Sequence, residues 1–488
     1  MPSGLLAAIL LAYFVLIFWI ARRTGHGATN DAFFVGNRAS PWPVVAFGMV
    51  GTSLSGVTFV SVPGSVGRDA FTYFQIILGQ TAGYFVIAFV LLPLYYRDRV
   101  TSIYHLLGTR LGATAHRTGA AFFIVSRTLG ASARLYLVIT VLQMTLADSL
   151  GMPFALTAGV IIALVVAYTY EGGVKTIVWT DLLQTACMVG GVFVVTVILL
   201  SRLGFDMASS VEALRGAGFS RMFSWNAASR EFFPKQFVAG VLIAITMTGM
   251  DQEMMQKSIS VRTLGGSQKN VVVSALVMAG VVLAFLYLGG LLHLYAQAAG
   301  VDESADRLFP AIVMGHLPAA VQLVFFIALI SALFPSADGA LTALTSSFCV
   351  DILGLRDRAD MDEAAIAGVR KRVHLGFAAL FLVLVLGFNA AATPSVITVL
   401  LTIAAYTYGP LLGLFAFAVL ARRRPDDRWV PVVAVAAPIA CYAIDHWQRA
   451  IFGDYQVGLE ILALNGGLTF AGLWVISRPI PRHVWRRK

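Results

Sequence analysis

Charged residues are scarce in this chain. Asp, Glu, Lys and Arg together make up 12% of its 488 residues, while 58% are hydrophobic and the mean hydropathy is +0.80. A soluble domain carries about 25% charged residues, so the composition excludes a soluble fold and indicates an integral membrane protein. About 13 apolar segments have the roughly 17–25 residues that a membrane-spanning helix needs, and we expect them to form one compact helical unit.

Cysteines and the motifs of enzymes are scarce as well. Cys187, Cys349 and Cys441 lie apart in apolar segments, in no metal-binding or disulfide spacing. The sequence has no G-x-x-x-x-G-K-[ST], H-E-x-x-H or G-x-S-x-G motif. These absences disfavour an ATP-driven pump and an intramembrane enzyme, and we expect no cofactor and no metal other than a coupling ion.

The net charge of +10 is unevenly placed along the chain. When alternate loops are numbered from an outside N-terminus, about 25 of the 35 Lys and Arg residues fall inside and about 8 outside. This is the positive-inside pattern, so the charge does not indicate nucleic-acid binding. It predicts a multi-pass protein of the cell inner (plasma) membrane, with the N-terminus outside and the C-terminus in the cytoplasm.

Small and polar residues interrupt two of the predicted spans, residues 43–64 and 237–258. The interruptions are Gly51, Thr52, Ser53, Ser55, Gly56 and Thr58 in the first, and Thr246, Thr248, Gly249, Asp251 and Gln252 in the second. Irregular backbone at membrane depth persists only where it lines a cavity or is buried in protein. Two broken helices five segments apart have opposite orientations, which is typical of the binding site of an inverted-repeat transporter. Tight helix packing through small residues is the alternative.

Two arginines lie inside another apolar segment. Arg127 and Arg134 are seven residues apart, so a helix places them on one face, about 10 Å from each other. A charge at the bilayer centre costs at least about 2.5–3.5 kcal/mol on insertion scales, so each side chain needs a physical reason to be there. Such a pair is suited to bind the carboxylate of a solute. The alternative is that each arginine pairs with a carboxylate of the protein and holds the helices together.

Two aspartates and the charged end of the second broken segment are further candidate site residues. Asp181 lies near the predicted cytoplasmic end of its segment, and Asp338 lies in a segment rich in Ser and Thr. Carboxylates and hydroxyls are hard oxygen ligands, which indicates a sodium or proton site, although hydroxyls also bond to their own helix. Glu253 and Lys257 end the second broken segment at i,i+4 spacing, and they either solvate its inner end or belong to the site.

Four stretches resemble the sodium/solute symporter family: residues 51–64, 171–185, 251–252 and 331–353. The resemblance covers nearly the whole chain. It implies an all-α polytopic membrane protein of the LeuT-like type, with about 13 transmembrane helices and a five-plus-five inverted-repeat core that has one helix before it and two after. The implied parts of this single domain are residues 5–21 for the first helix, 43–201 and 236–420 for the two repeats, and 428–477 for the last two helices.

The resemblance also implies roles for individual residues. The family's main sodium site maps onto Gly51, Leu54, Ala332, Pro335 and Ser336. Pro335 stands where the family has a hydroxyl, so one oxygen ligand is missing, although a proline also frees a carbonyl one turn earlier. A second cation site maps onto Asp181, and Asp338 is positioned to join it. The candidate substrate ligands are Ser53, Ser55, Thr58, Gln75, Gln80, Arg127, Arg134, Thr248 and Asp251.

The predicted function is secondary active symport, in which inward sodium flow drives uptake of a small polar solute by alternating access. The two membrane arginines favour a carboxylate-bearing solute, and the range of family substrates also includes sugars. The expected partners are sodium, the solute and the lipid bilayer. A proton-coupled or uncoupled transporter of the same fold and a transporter-like membrane sensor remain alternatives.

Overall fold

A computed structural model of the chain describes residues 3–25, 33–34, 36–54, 56–98, 100, 102–303, 305–355, 358, 360–391, 396–453 and 457–479. Ser55 is one of the residues outside these ranges, and the side chain of Ser336 is likewise not described.

The described part of the chain is almost entirely helical. Its α-helices are α1 (Ser3–Gly25), α2 (Trp42–Ser53), α3 (Gly56–Asp69), α4 (Phe74–Val86), α5 (Leu92–Arg97), α6 (His105–Arg110), α7 (Ala113–Leu142), α8 (Phe154–Leu203), α9 (Met207–Gly216), α10 (Phe233–Ala244), α11 (Gln252–Ile259), α12 (Leu264–Ala299), α13 (Leu308–His316), α14 (Ala319–Ser347), α15 (Glu363–Ala390), α16 (Val396–Leu420), α17 (Val430–His446), α18 (Gln448–Phe452) and α19 (Ile461–Val475). Two short strands, β1 (Arg423–Pro425) and β2 (Ser477–Pro479), pair antiparallel.

Many of these helices are suited to cross a membrane. Within the described residues, nine helices are long and apolar enough to do so, and the number rises to eleven if each of two bent pairs counts as one span. Two shorter apolar helices, Phe154–Tyr170 and Ile461–Val475, stand where the remaining two spans were predicted. The all-helical membrane fold is therefore confirmed, while the count of 13 spans and the repeat boundaries stay predictions.

The two bent pairs coincide with the two predicted interruptions. The axis turns by 52° between Trp42–Ser53 and Thr58–Asp69, and by 66° between Phe233–Gly249 and Gln252–Ile259. At the second break the side chain of Asp251 accepts hydrogen bonds from the backbone N–H groups of Glu253 and Met254, so it caps the new helix. A carboxylate at a helix N-terminus satisfies backbone donors that have no partner in the preceding turn, which stabilises the break.

Helix α8 also contains a break, at Gly173. The backbone there has φ 53° and ψ −146°, a conformation that favours glycine. A Cβ atom at this position would lie 2.5 Å from Cα of Phe33, so packing as well as backbone geometry requires glycine. The break separates the shorter span that ends at Tyr170 from the span Thr176–Leu203.

Close helix packing joins the second bent pair to α4. A Cβ atom at Gly79 of α4 would lie 2.0 Å from the carbonyl oxygen of Phe237, and one at Gly240 of α10 would lie 2.2 Å from the carbonyl oxygen of Ile76. Small residues of this kind let helix backbones approach closely in a membrane. Helix α11 of that pair packs against α2 and α14, and α2 also packs against α8, so the two breaks lie close together in the bundle.

Candidate functional site

A cavity of about 130 Å³ lies between the two breaks. Apolar side chains of the two bent pairs, α4 and α12 make up about half of its lining. The polar lining residues are Thr52, Ser53, Thr58, Tyr73, Gln80, Tyr84, Arg127, Arg134 and Thr248. We call this space the central cavity.

Several predicted substrate ligands do line the central cavity. Ser53 and Thr58 come from the first bent pair, Gln80 from α4 and Thr248 from the second bent pair. The hydroxyl of Tyr84 lies 3.3 Å from the hydroxyl oxygens of both Ser53 and Thr248. One tyrosine therefore connects the two broken helices across the cavity.

Gln75 lies elsewhere. It is fully buried, its Nε2 donates to the carbonyl of Glu231 at 3.0 Å, and its Oε1 accepts from the backbone N–H of Ser224 at 3.1 Å. It lines a second, larger cavity of about 620 Å³, which also borders Arg68. We call this space the outer cavity, and we conclude that Gln75 fastens the loop between α9 and α10 and does not face the central cavity.

Arg127 is engaged by carboxylates of the protein. Its Nη2 donates to Oε2 of Glu253, and its Nη1 lies 3.8 Å from Oδ2 of Asp251. All three side chains are at most 4% exposed. Asp251 also accepts from the hydroxyl of Tyr408 at 2.8 Å, so its oxygens are used within the protein. This geometry favours the pairing alternative for Arg127, and Asp251 acts as a cap and counter-ion.

Arg134 is the contrasting case. It lies two turns further along α7, is half-buried and lines the central cavity. Among the described residues it forms no ion pair and no hydrogen bond. A guanidinium without a partner beside a cavity is a ready site for a carboxylate, because it donates two parallel hydrogen bonds.

The inner end of the second bent pair is buried. Glu253 and Lys257 are 1% and 2% exposed, and all eight residues of α11 are buried. The alternative that they solvate the helix end is therefore wrong. Glu253 has room only because α14 carries Gly339 beside it, where a Cβ atom would lie 2.2 Å from Oε1 of Glu253.

The two predicted membrane aspartates have different partners. Oδ2 of Asp181 lies 2.7 Å from Nζ of Lys257 and 3.2 Å from Oγ1 of Thr52. Asp338 accepts from the hydroxyl of Tyr168 at 2.8 Å and from the backbone N–H of Gly339 at 2.6 Å. No hydrogen bond joins Asp181 to Asp338 in the described structure, and a lysine is the immediate neighbour of Asp181.

Leu54 and Ala332, two of the residues assigned to the main sodium site, lie near the first break. Leu54 ends α2 with φ −91° and ψ 73°, which turns its backbone out of the helix. A Cβ atom at the following Gly56 would lie 3.6 Å from the carbonyl oxygen of Ala332, so α14 faces the break there. Pro335 lies inside α14 and has no N–H for the carbonyl of Ser331, which leaves that oxygen free of its usual helical donor.

Three tyrosines of the site were not predicted. Tyr84 bridges the broken helices, Tyr168 donates to Asp338, and Tyr408 donates to Asp251. A buried tyrosine usually finds a partner for its hydroxyl, so tyrosines within apolar segments were an available signal. Their partners lie on other helices, and spacing along one segment gives no information about them.

Bent helices that meet at a polar cavity beside buried ion pairs define a membrane transporter of the inverted-repeat type. The chain has the same fold as a Na⁺-coupled sialic acid symporter solved in a substrate-bound, outward-open state. The TM-score is 0.83 at 17% identity, with 97% of this chain and 99% of that chain covered. The family model of the sodium:solute symporter family matches residues 33–426, and the chain belongs to that family.

Curated relatives show sequence similarity over most of the chain. The chain is 24% identical to sodium-coupled monocarboxylate transporter 2 of Danio rerio over 403 residues, which covers 80% of this chain and 63% of the relative. It is 22% identical to the sodium/sialic acid symporter SiaT of Proteus mirabilis, with 72% and 69% covered. The match thus spans about two thirds of the length of these relatives.

Proposed function

We propose that this chain is a symporter that couples sodium flow to the uptake of a small solute with a carboxylate group. The observation that carries the proposal is Arg134, which lines the central cavity and has no ion-pair partner among the described residues. Arg127, on the same helix face, is already balanced by Glu253 and Asp251. One cation is therefore left for an anionic group that enters the cavity.

The names of the relatives support an anionic solute. Monocarboxylate and sialic acid transporters both act on molecules that carry one carboxylate. The central cavity of about 130 Å³ is well below the roughly 300–1,000 Å³ of pockets for drug-sized ligands. This volume favours a short-chain monocarboxylate over an acidic sugar.

Sodium is the proposed coupling ion, and the first break is its proposed site. Gly51, Leu54 and Ala332 supply backbone oxygens there, and Pro335 frees the carbonyl of Ser331. Backbone carbonyls of unwound helices are typical sodium ligands in this class of transporter.

We further propose a location in the plasma membrane with the N-terminus outside, because the basic residues follow the positive-inside rule.

Uptake into proteoliposomes tests the proposal. Propionate serves as the probe and propionamide as its neutral counterpart, with sodium and proton gradients imposed separately. We expect the sodium gradient to drive accumulation of propionate and not of propionamide. Accumulation driven by the proton gradient alone would overturn the sodium assignment.

Variants of α7 test the role of Arg134. A hydrogen bond to a charged group is worth about 1.5–3 kcal/mol, so Arg134→Gln is expected to raise the half-saturating concentration of propionate about 10- to 100-fold. Arg117→Gln is the matched control, because Arg117 is exposed on the same helix. An unchanged half-saturating concentration in Arg134→Gln would remove Arg134 as the carboxylate site.

A further inference from the structure

Lys257 lies where a cation would be expected. Its side chain is 3% exposed, and its Nζ is 2.7 Å from Oδ2 of Asp181, 2.7 Å from Oγ1 of Thr52 and 3.6 Å from Oε1 of Glu253. These oxygens belong to α8, α2 and α11, so the ammonium joins three helices. A sodium ion is also a monovalent cation, and it binds carboxylate and hydroxyl oxygens of the same kind.

We propose that the ammonium of Lys257 is a tethered cation in the second cation site, so that this chain binds one sodium ion where Asp181 would otherwise bind a second. The inference rests on the proposed sodium symport. Oδ2 of Asp181 already accepts from Lys257 and Thr52, so a sodium ion on that oxygen would lie beside the ammonium and be repelled by its like charge. The main sodium site at the first break is then the one site left for a free ion.

The other oxygen of Asp181 supports this assignment. Oδ1 of Asp181 is buried and accepts no hydrogen bond within the described ranges, although the residue is 0% exposed. A buried carboxylate with one unsatisfied oxygen depends strongly on its single counter-charge, because an unpaired buried charge is very unfavourable. If the ammonium is removed, a cation from solution is the simplest replacement, and the hydroxyl of Thr52 and the carboxylate of Glu253 remain beside it.

The substitution Lys257→Met therefore has a specific expected result. Methionine has a stem of similar length and no charge, so it leaves a space of ammonium size next to Asp181. We expect equilibrium binding of ²²Na⁺ to the purified full chain to reach one ion per wild-type chain at saturation and two per Lys257→Met chain. In the double variant Lys257→Met/Asp181→Asn the number returns to one. Lys269→Met is the matched control, because Lys269 is exposed, and it is expected to bind one ion.

The outcomes separate this inference from the proposed function. A wild-type chain that binds no sodium would remove the proposed symport itself. A wild-type chain that binds two ions, or a Lys257→Met chain that still binds one, would overturn only the role of Lys257.

A second variant keeps the test decisive if Lys257→Met does not fold. Asp181→Asn retains the ammonium and the shape of the side chain. The sodium count stays at one if Lys257 already fills the site, and it falls if Asp181 binds a sodium ion in the wild-type chain. A fall would overturn the inference.

Discussion

Gly51 lies where α2 touches α8, next to the proposed sodium site. A Cβ atom at this position would lie 2.0 Å from Oγ1 of Thr185 and 3.1 Å from its Cβ. Non-bonded atoms attract best at about 3.5–4.0 Å, so Gly51→Ala requires a shift of about 1.5 Å. Rotation of Thr185 relieves only part of the overlap, and it breaks the 2.7 Å hydrogen bond from Oγ1 to the carbonyl of Asp181.

The cost of Gly51→Ala follows from these contacts. Overpacking costs about 1–3 kcal/mol, and the lost hydrogen bond adds about 0.5–1.5 kcal/mol. Alanine stabilises the helix by about 0.5–1 kcal/mol relative to glycine, which offsets part of this cost. We therefore expect the free energy of unfolding in detergent, measured with denaturant, to fall by about 1–3 kcal/mol. Sodium affinity is expected to fall as well, because the shifted backbone supplies proposed ligands.

Two further variants decide whether the overlap is the cause. Gly190→Ala on α8 is the matched control, since a Cβ atom there meets no described atom within 4 Å. It is expected to be neutral or slightly stabilising. Thr185→Ala in the Gly51→Ala background removes the obstructing hydroxyl and is expected to recover most of the lost stability. If Gly51→Ala and Gly190→Ala have equal free energies of unfolding, the packing argument is refuted.

Two other contacts give predictions that stability and exchange measurements can check. Glu253→Gln leaves the buried guanidinium of Arg127 without its main counter-ion, so the free energy of unfolding is expected to fall by about 3–5 kcal/mol. Arg68→Gln breaks the exposed ion pair with Asp69, so the free energy of unfolding is expected to change by less than about 1 kcal/mol. If the two variants lose equal amounts of stability, burial is not the cause. Gln75→Leu is expected to speed amide hydrogen exchange in residues 222–232, because Gln75 holds that loop. Unchanged exchange with weaker solute binding would instead support its predicted substrate role.

The sequence predicted the breaks well, because their cause is local. Glycine, serine and threonine in the middle of a span disfavour a continuous helix whatever surrounds them, and the bends occur where these residues cluster. The cap at the second break is local too, since Asp251 bonds to N–H groups two and three residues later. A single chain segment contains all the information that such features need.

The partners of buried side chains could not be predicted in the same way. Gln75 matches a substrate position by its place along α4, but its amide bonds to a loop about 150 residues away in sequence. Lys257 and Glu253 have the i,i+4 spacing of a solvated helix end, and yet α11 is enclosed on all sides by other helices. Spacing along a helix specifies which side chains share a face, while burial depends on what packs against that face.

The second break explains why the two arginines have different partners. Arg127 and Arg134 share one face of α7, about 10 Å apart, so helix spacing alone does not tell which of them binds a solute. The 66° bend before α11 brings Glu253 against Arg127, and the capping residue Asp251 comes close to the same guanidinium. Arg134, two turns away, forms no described contact with these carboxylates and faces the cavity instead. The bend that opens the central cavity thus also determines which arginine is available for the solute.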